Sequence, residues 1–212
     1  MSCYTLQLDT EGARGSDCHE VAWVIREKDT DNCVEFGEWH ASDDTLFIEF
    51  MLELGEAMAR YDIQHVNAWG KTDWNSVAWT FYYEAKVTVW LKDKDPYDGL
   101  GNKDILLKTD VIEFVANNYR DADFLRREYW HDGSDYVASV LWHNKDIMEE
   151  YERFGWYHPT GTHDSGKLKL QNLARFVYGD RYYKQAHHAL ADCYDAQSVT
   201  LFFARHDPRN QI

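Results

Sequence analysis

The sequence predicts an α/β fold, a mixed sheet flanked by helices, and three observations lead there. Between residues 3 and 40 lie three runs rich in β formers, set apart by turn residues: Cys3 to Leu8, Glu20 to Ile25 and Cys33 to His40. The pattern then changes period, because Leu46, Phe47, Phe50, Met51, Leu54 and Met58 recur at three and four residues and form one apolar stripe of a helix. A strand-like run and an aromatic-rich helix follow, and strand-then-helix order belongs to an α/β layer rather than to an all-β barrel.

Taken in order, the first run alternates and ends at Asp9, and Gly12 and Gly15 supply turn chemistry before the second run. The third run completes an antiparallel meander. Ser42 or Asp43 is placed to cap the helix that follows, which is expected over Asp44 to Tyr61. Gln64 to Trp69 reads as a buried strand closed by Gly70, and Asp73 to Ala85 as a helix. Pro96, Asp98 and Gly99 to Asn102 punctuate a loop before a strand at Asp104 to Thr109 and a helix at Val111 to Tyr119. Residues 120–163 read as a helical insertion or lid-like excursion, with one helix over Asp135 to Phe154 closed by Gly155 and Pro159. A helix over Lys167 to Tyr178, ended by Gly179, and a last one over Ala189 to Arg205 complete the chain. There is no internal repeat and no linker, so residues 1–212 are expected to form one domain.

Composition bounds the function. With 44% hydrophobic residues and 16% aromatics in 212 residues, the chain can bury a sizeable core, which excludes disordered, collagenous and low-complexity classes. Lys and Arg number 22 against 37 Asp and Glu, and the resulting charge of −15 argues against a protein that tracks along a polyanion. No run approaches the roughly 18 apolar residues a spanning helix needs. Met1-Ser2-Cys3-Tyr4 lacks the features of a signal peptide, so a soluble, intracellular (cytoplasmic) protein without a membrane partner is expected. Cys3, Cys18, Cys33 and Cys193 include no Cys-x-x-Cys pair and read as buried reduced thiols.

Three acidic elements carry the chemistry. Asp9 and Glu11 end the first strand two residues apart, so both side chains face the same side. Neighbouring carboxylates raise one another's pKa unless a cation stands between them, and oxygen ligands suit Mg²⁺ or Mn²⁺. Taken alone, Asp9-Thr10-Glu11-Gly12 reads first as a solvated turn after an edge strand. Asp73 follows the turn at Gly70, where a plain N-cap would also be Asp. His187 precedes Asp192 by five residues at the start of the last helix, and histidine accepts a proton near neutral pH. The rival pairing, His188 with Asp192, would be a structural contact on one helix face.

In this order and on these supports, Asp9-Thr10-Glu11, Asp73 and His187-His188-Ala189-Leu190-Ala191-Asp192-Cys193 resemble the motifs of the DEDD family of 3′–5′ exonucleases, in its His-containing (DEDDh) branch. Lys167 to Ala174 resembles the helix that leads into the third motif. The resemblance covers roughly Tyr4 to Ser16, His65 to Tyr83 and Lys167 to Phe203. It implies a ribonuclease-H-like sheet, the antiparallel meander continued by parallel strands. It also implies two-metal hydrolysis of phosphodiester bonds at the 3′ ends of single-stranded DNA or RNA, releasing nucleoside 5′-monophosphates. Asp9 would bridge two Mg²⁺ or Mn²⁺ ions, Glu11 and Asp192 would complete the ion on the side of the attacking water, Asp73 would hold the second, and His187 would be the general base. Gly12 directly follows Glu11, where the family usually continues Glu-Thr-x-Gly, and Ala13, Arg14 and Gly15 offer no apolar wedge for the terminal base.

Trp69, Trp74 and Trp79 read first as core rings and second as stacking surfaces for bases. Lys71, Arg126, Arg127, Lys167, Lys169 and Lys184 are the cations expected around a groove. A homodimer, or a polymerase or helicase partner that delivers the enzyme to its substrate, fits the same reading. The alternative is a non-catalytic acidic protein on a degenerate nuclease fold, mimicking nucleic acid in another protein's basic groove. Two divalent ions offset four of the fifteen charges and leave −11, which favours short or single-stranded ends over long polyanions.

Overall fold

A computed structural model describes residues 3–12, 18–63, 65–70, 73, 76, 77, 80, 130–153, 168–179, 181–184 and 186–210. Strands β1 (Tyr4–Gly12), β2 (Cys18–Glu27) and β3 (Cys33–His40) form the meander. Helix α1 (Phe47–Arg60) follows, then β4 (Val66–Ala68), β5 (Trp130–Asp132), α2 (Gly133–His143), α3 (Lys145–Arg153), α4 (Leu170–Tyr178) and α5 (Ala189–Arg205). The five strands lie in the order β3-β2-β1-β4-β5. β1 pairs antiparallel with β2 and β2 with β3, whereas β4 runs parallel to β1 and β5 parallel to β4. The protein is therefore α/β with a mixed sheet, and β1 is the middle one of its described strands.

Alternation along β1 sorts its side chains between two faces. Leu6 and Leu8, with Val21, Trp23, Ile25 and Trp39, are buried against Phe47, Phe50, Met51, Leu54 and Ala57 of α1. Fully burying an aliphatic or aromatic side chain is worth about 1.5–3 kcal/mol, so this layer fixes the sheet register. The other face is covered by α5, where Ala22 and Val24 meet Ala189 and Cys193. Beside it, Val137, Val140, Leu141, Ile147, Tyr151, Leu170, Leu173, Ala174, Ala196, Val199 and Phe203 join α2 to α5 in a second core. Gly37 lies opposite Trp23, and a Cβ there would stand 2.5 Å from the indole.

The differences from expectation have local causes. Helix α1 starts at Phe47, later than Asp44, because Asp43 Oδ2 accepts the His40 N–H (2.9 Å) and so caps the preceding turn; the Leu46 N–H instead donates to the Glu49 carboxylate (3.1 Å). β4 is shorter than Gln64 to Trp69. The single helix expected over Asp135 to Phe154 is two, because Asn144 leaves helical geometry and its Oδ1 accepts the Ile147 N–H (3.2 Å), opening α3. Within 120–163, expected as an excursion, the described residues 130–153 supply β5 of the sheet and two core helices. Helix α4 begins at Leu170 and ends where Gly179 adopts φ +82°.

Of Asp73 to Ala85, residues 73, 76, 77 and 80 are helical; the rest, with the strand at Asp104 to Thr109 and the helix at Val111 to Tyr119, lies outside the described residues. None of the four cysteines is in a disulfide, but only Cys18 and Cys193 are buried; Cys3, just before β1, is exposed. Among the described residues, no helix is long and apolar enough to cross a membrane.

Candidate active site

The acids sit where the sheet's second face meets the first turn of α5. Small buried side chains let this helix approach closely: Cys193 Sγ lies 3.3 Å from the Ala22 carbonyl oxygen and 3.7 Å from that of Gln7. That approach delivers Asp192 to the end of β1. One carboxylate oxygen from each of Asp9, Glu11 and Asp192 lies within 4.8 Å of the others. Asp9 is 8% exposed and Asp192 9%, and the Oδ1 atom of Asp192 is buried without a hydrogen-bond partner. The β1–β2 register shifts between Glu11 and Gly12, so the strand becomes irregular beside the group.

Asp73 stands beside these three. It is buried, and its Oδ1 accepts a hydrogen bond from Thr10 Oγ1 (3.0 Å). The same helical segment is tied to the sheet through Thr80, whose Oγ1 accepts the Cys18 N–H (2.8 Å). The sequence-expected acids Asp9, Glu11 and Asp192 thus meet directly, and Asp73 joins them through Thr10.

The electrostatics express the cost of this arrangement. Burial first, then the charges of Asp73, Asp192, Glu11 and Glu20, hold the Asp9 carboxyl well above its ordinary range. Asp73 is pushed up to about 7, chiefly by burial and further by Glu11 and Asp132, against the downward pull of its Thr10 hydrogen bonds. Asp192 is pushed up to about 6 by burial, Glu11, Asp195 and Glu20, against a downward pull from His187. A divalent cation would reverse these shifts, because its charge favours every ionised carboxylate around it.

His187 is exposed, on the turn before α5, in a left-handed conformation at φ +51°. His188 is the N-cap residue and makes no side-chain capping bond. Its ring lies with Glu20, Nδ1 to Oε2 at 3.6 Å, and its carbonyl accepts the Asp192 N–H (3.0 Å). Sequence reasoning did not single out Thr10, Glu20, Asp132 or Asp195. Only Glu20 carried a signal, an acid opening a run of β formers with no turn chemistry of its own. Glu20, Glu38 and His40 also gather within 4.8 Å, but Glu20 Oε1 is engaged by the Ala189 N–H, and Glu38 and His40 face one another at the exposed sheet edge.

Trp69 packs against the second core and donates from Nε1 to the Leu168 carbonyl (2.9 Å), the core role expected for it. Lys169 and Lys184 are exposed; Trp74, Trp79, Lys71, Arg126, Arg127, Lys167 and the loop of Ala13, Arg14 and Gly15 lie outside the described residues. No protein-family model, no curated protein and no solved structure matches the chain.

Proposed function

We propose that this chain is a metal-dependent 3′–5′ exonuclease of the DEDDh kind, acting on the 3′ ends of single-stranded DNA or RNA and releasing nucleoside 5′-monophosphates. The observation that carries the reading is the meeting of Asp9, Glu11 and Asp192 in a buried place, with an Asp192 oxygen left unpaired. Buried polar atoms without partners are rare, and an oxygen-lined gap between three acids suits a hard divalent cation. A ribonuclease-H-like fold fits the antiparallel meander continued by parallel strands.

Asp9, Glu11 and Asp192, with Asp73 beside them, are the residues that would hold the Mg²⁺ or Mn²⁺ ions. Bound there, the ions would activate water and neutralise charge on the phosphodiester. Thr10 orients Asp73 from the same strand that carries Asp9 and Glu11. His187 would accept the water's proton on a ring nitrogen, from an exposed position just before α5. The alternative, an acidic mimic of nucleic acid, would work through exposed carboxylates and gives no reason for burying Asp9, Asp73 and Asp192 together.

The test uses single-stranded DNA and RNA oligomers with Mg²⁺, Mn²⁺ or chelator. Asp9→Ala should abolish metal-dependent release of 3′-terminal mononucleotides and His187→Ala should lower it about 100- to 10,000-fold, leaving a measurable residue, with the circular dichroism spectrum unchanged in both. Full activity in either variant refutes the proposal.

A further inference from the structure

We propose that Glu20 is a positioning residue: by capping α5 from the neighbouring strand it sets the turn that carries His187 and the helix start that carries Asp192. The proposal rests on the exonuclease reading for its effect on rate, while its structural half stands on contacts alone. Glu20 is only 4% exposed, although it is the third residue of β2, next to the apolar run Val21 to Ile25, and its carboxylate would be far better solvated outside. Its Oε1 accepts the Ala189 N–H at 2.7 Å, a charge-assisted bond across 169 positions of sequence. Its Oε2 lies 3.6 Å from His188 Nδ1. A helix N-terminus leaves several N–H groups without intrahelical partners and favours negative charge, and the N-cap His188 supplies no side-chain acceptor. Glu20 takes that place from another element.

The position of Glu20 links the motifs. It is the direct cross-strand partner of Glu11, so one row of the sheet holds both a candidate metal ligand and the cap of α5. His187 precedes the two residues Glu20 touches and sits at φ +51°, a conformation that a residue other than glycine keeps only where its surroundings hold it. With the Ala189 N–H bonded to Glu20 and the His188 ring beside the same carboxylate, the turn is held against β2. Asp192, in the first turn that starts at Ala189, is fixed by the same anchor.

The test compares Glu20→Ala and Glu20→Gln, alone and with His187→Ala. Glu20→Ala should lower kcat about 10- to 100-fold, the range for a partner that orients an active residue, with KM within about twofold. Glu20→Gln keeps an oxygen for the Ala189 N–H and should restore most of the loss. Because Glu20 acts partly through His187, removing it from His187→Ala should cost less than removing it from the parent. An equal factor in both backgrounds, or no rescue by Gln, overturns the proposal. Where Glu20→Ala does not fold, Glu20→Asp, one methylene shorter, should withdraw the acceptor and give the same loss. An NMR comparison is independent of activity: Ala189 amide exchange should accelerate in Glu20→Ala or Glu20→Asp, and the His187 ring resonances should move. If the parent releases no nucleotide, the exonuclease reading fails while these spectra still decide Glu20, and unchanged spectra overturn its role.

Discussion

Replacing Asp73 with Asn removes a charge from the buried group without removing the oxygen that receives Thr10 Oγ1. The consequence follows from linkage. An ordinary Asp titrates at 3.8, whereas in the folded protein Asp73 is pushed up to about 7. Between those values the folded state holds a proton that the unfolded chain has lost, so unfolding releases it and stability falls as pH rises. The slope is about 1.4 kcal/mol per pH unit, which over this interval amounts to about 4 kcal/mol as a ceiling, fully present above pH 7 and absent below pH 4. In chelator, Asp73→Asn should therefore match the parent near pH 4 and exceed its stability progressively up to pH 7. Removing the Asp73 charge also relieves Asp9, adding in the same direction. The assay is urea denaturation followed by circular dichroism from pH 4 to 8. Saturating Mn²⁺ should recover stability in the parent, by about 2.7 kcal/mol at a hundredfold excess over Kd, and recover less in the variant. A parent whose stability rises between pH 5 and 7 in chelator, alongside a variant no more stable than it, would refute the reasoning.

Two further substitutions probe the frame that holds the site. Gly37→Ala places a Cβ 2.5 Å from the fully buried Trp23 ring, so the ring or the strand must shift; a loss of about 1–3 kcal/mol in chemical denaturation is expected, and an unchanged midpoint would contradict that packing. Leu141→Ala empties a fully buried position in the core shared by α2, α4 and α5. It should cost about 2–5 kcal/mol, and a neutral outcome would mean that residues 130–153 do not contribute to the core.

The sequence made α5 legible from Ala189 to Arg205 because the His-His turn, the small residues and the acids at its start carry local meaning. It likewise made Asp9 and Glu11 legible as a pair, since strand alternation alone puts them on one face. The start of α1 was hidden because Asp43, a sound cap in isolation, is spent on His40. Asn144 carried no stop signal strong enough against the apolar periodicity around it, and its break depends partly on a tertiary bond, Nδ2 to the His206 carbonyl at 2.6 Å. β5 is three residues long, too short for any period to show. The burial of Glu20 was illegible for the same physical reason, because the group that makes it tolerable lies on another element.

Titration calorimetry with Mn²⁺ near pH 7 tests the central claim, that Asp9, Glu11 and Asp192 stand together to hold a divalent cation. The parent should bind saturably and release protons as the raised carboxyls ionise, most strongly below pH 7. Asp192→Asn should lose that binding while keeping its fold. No saturable binding in the parent, or the same affinity and proton release in Asp192→Asn, would contradict the account.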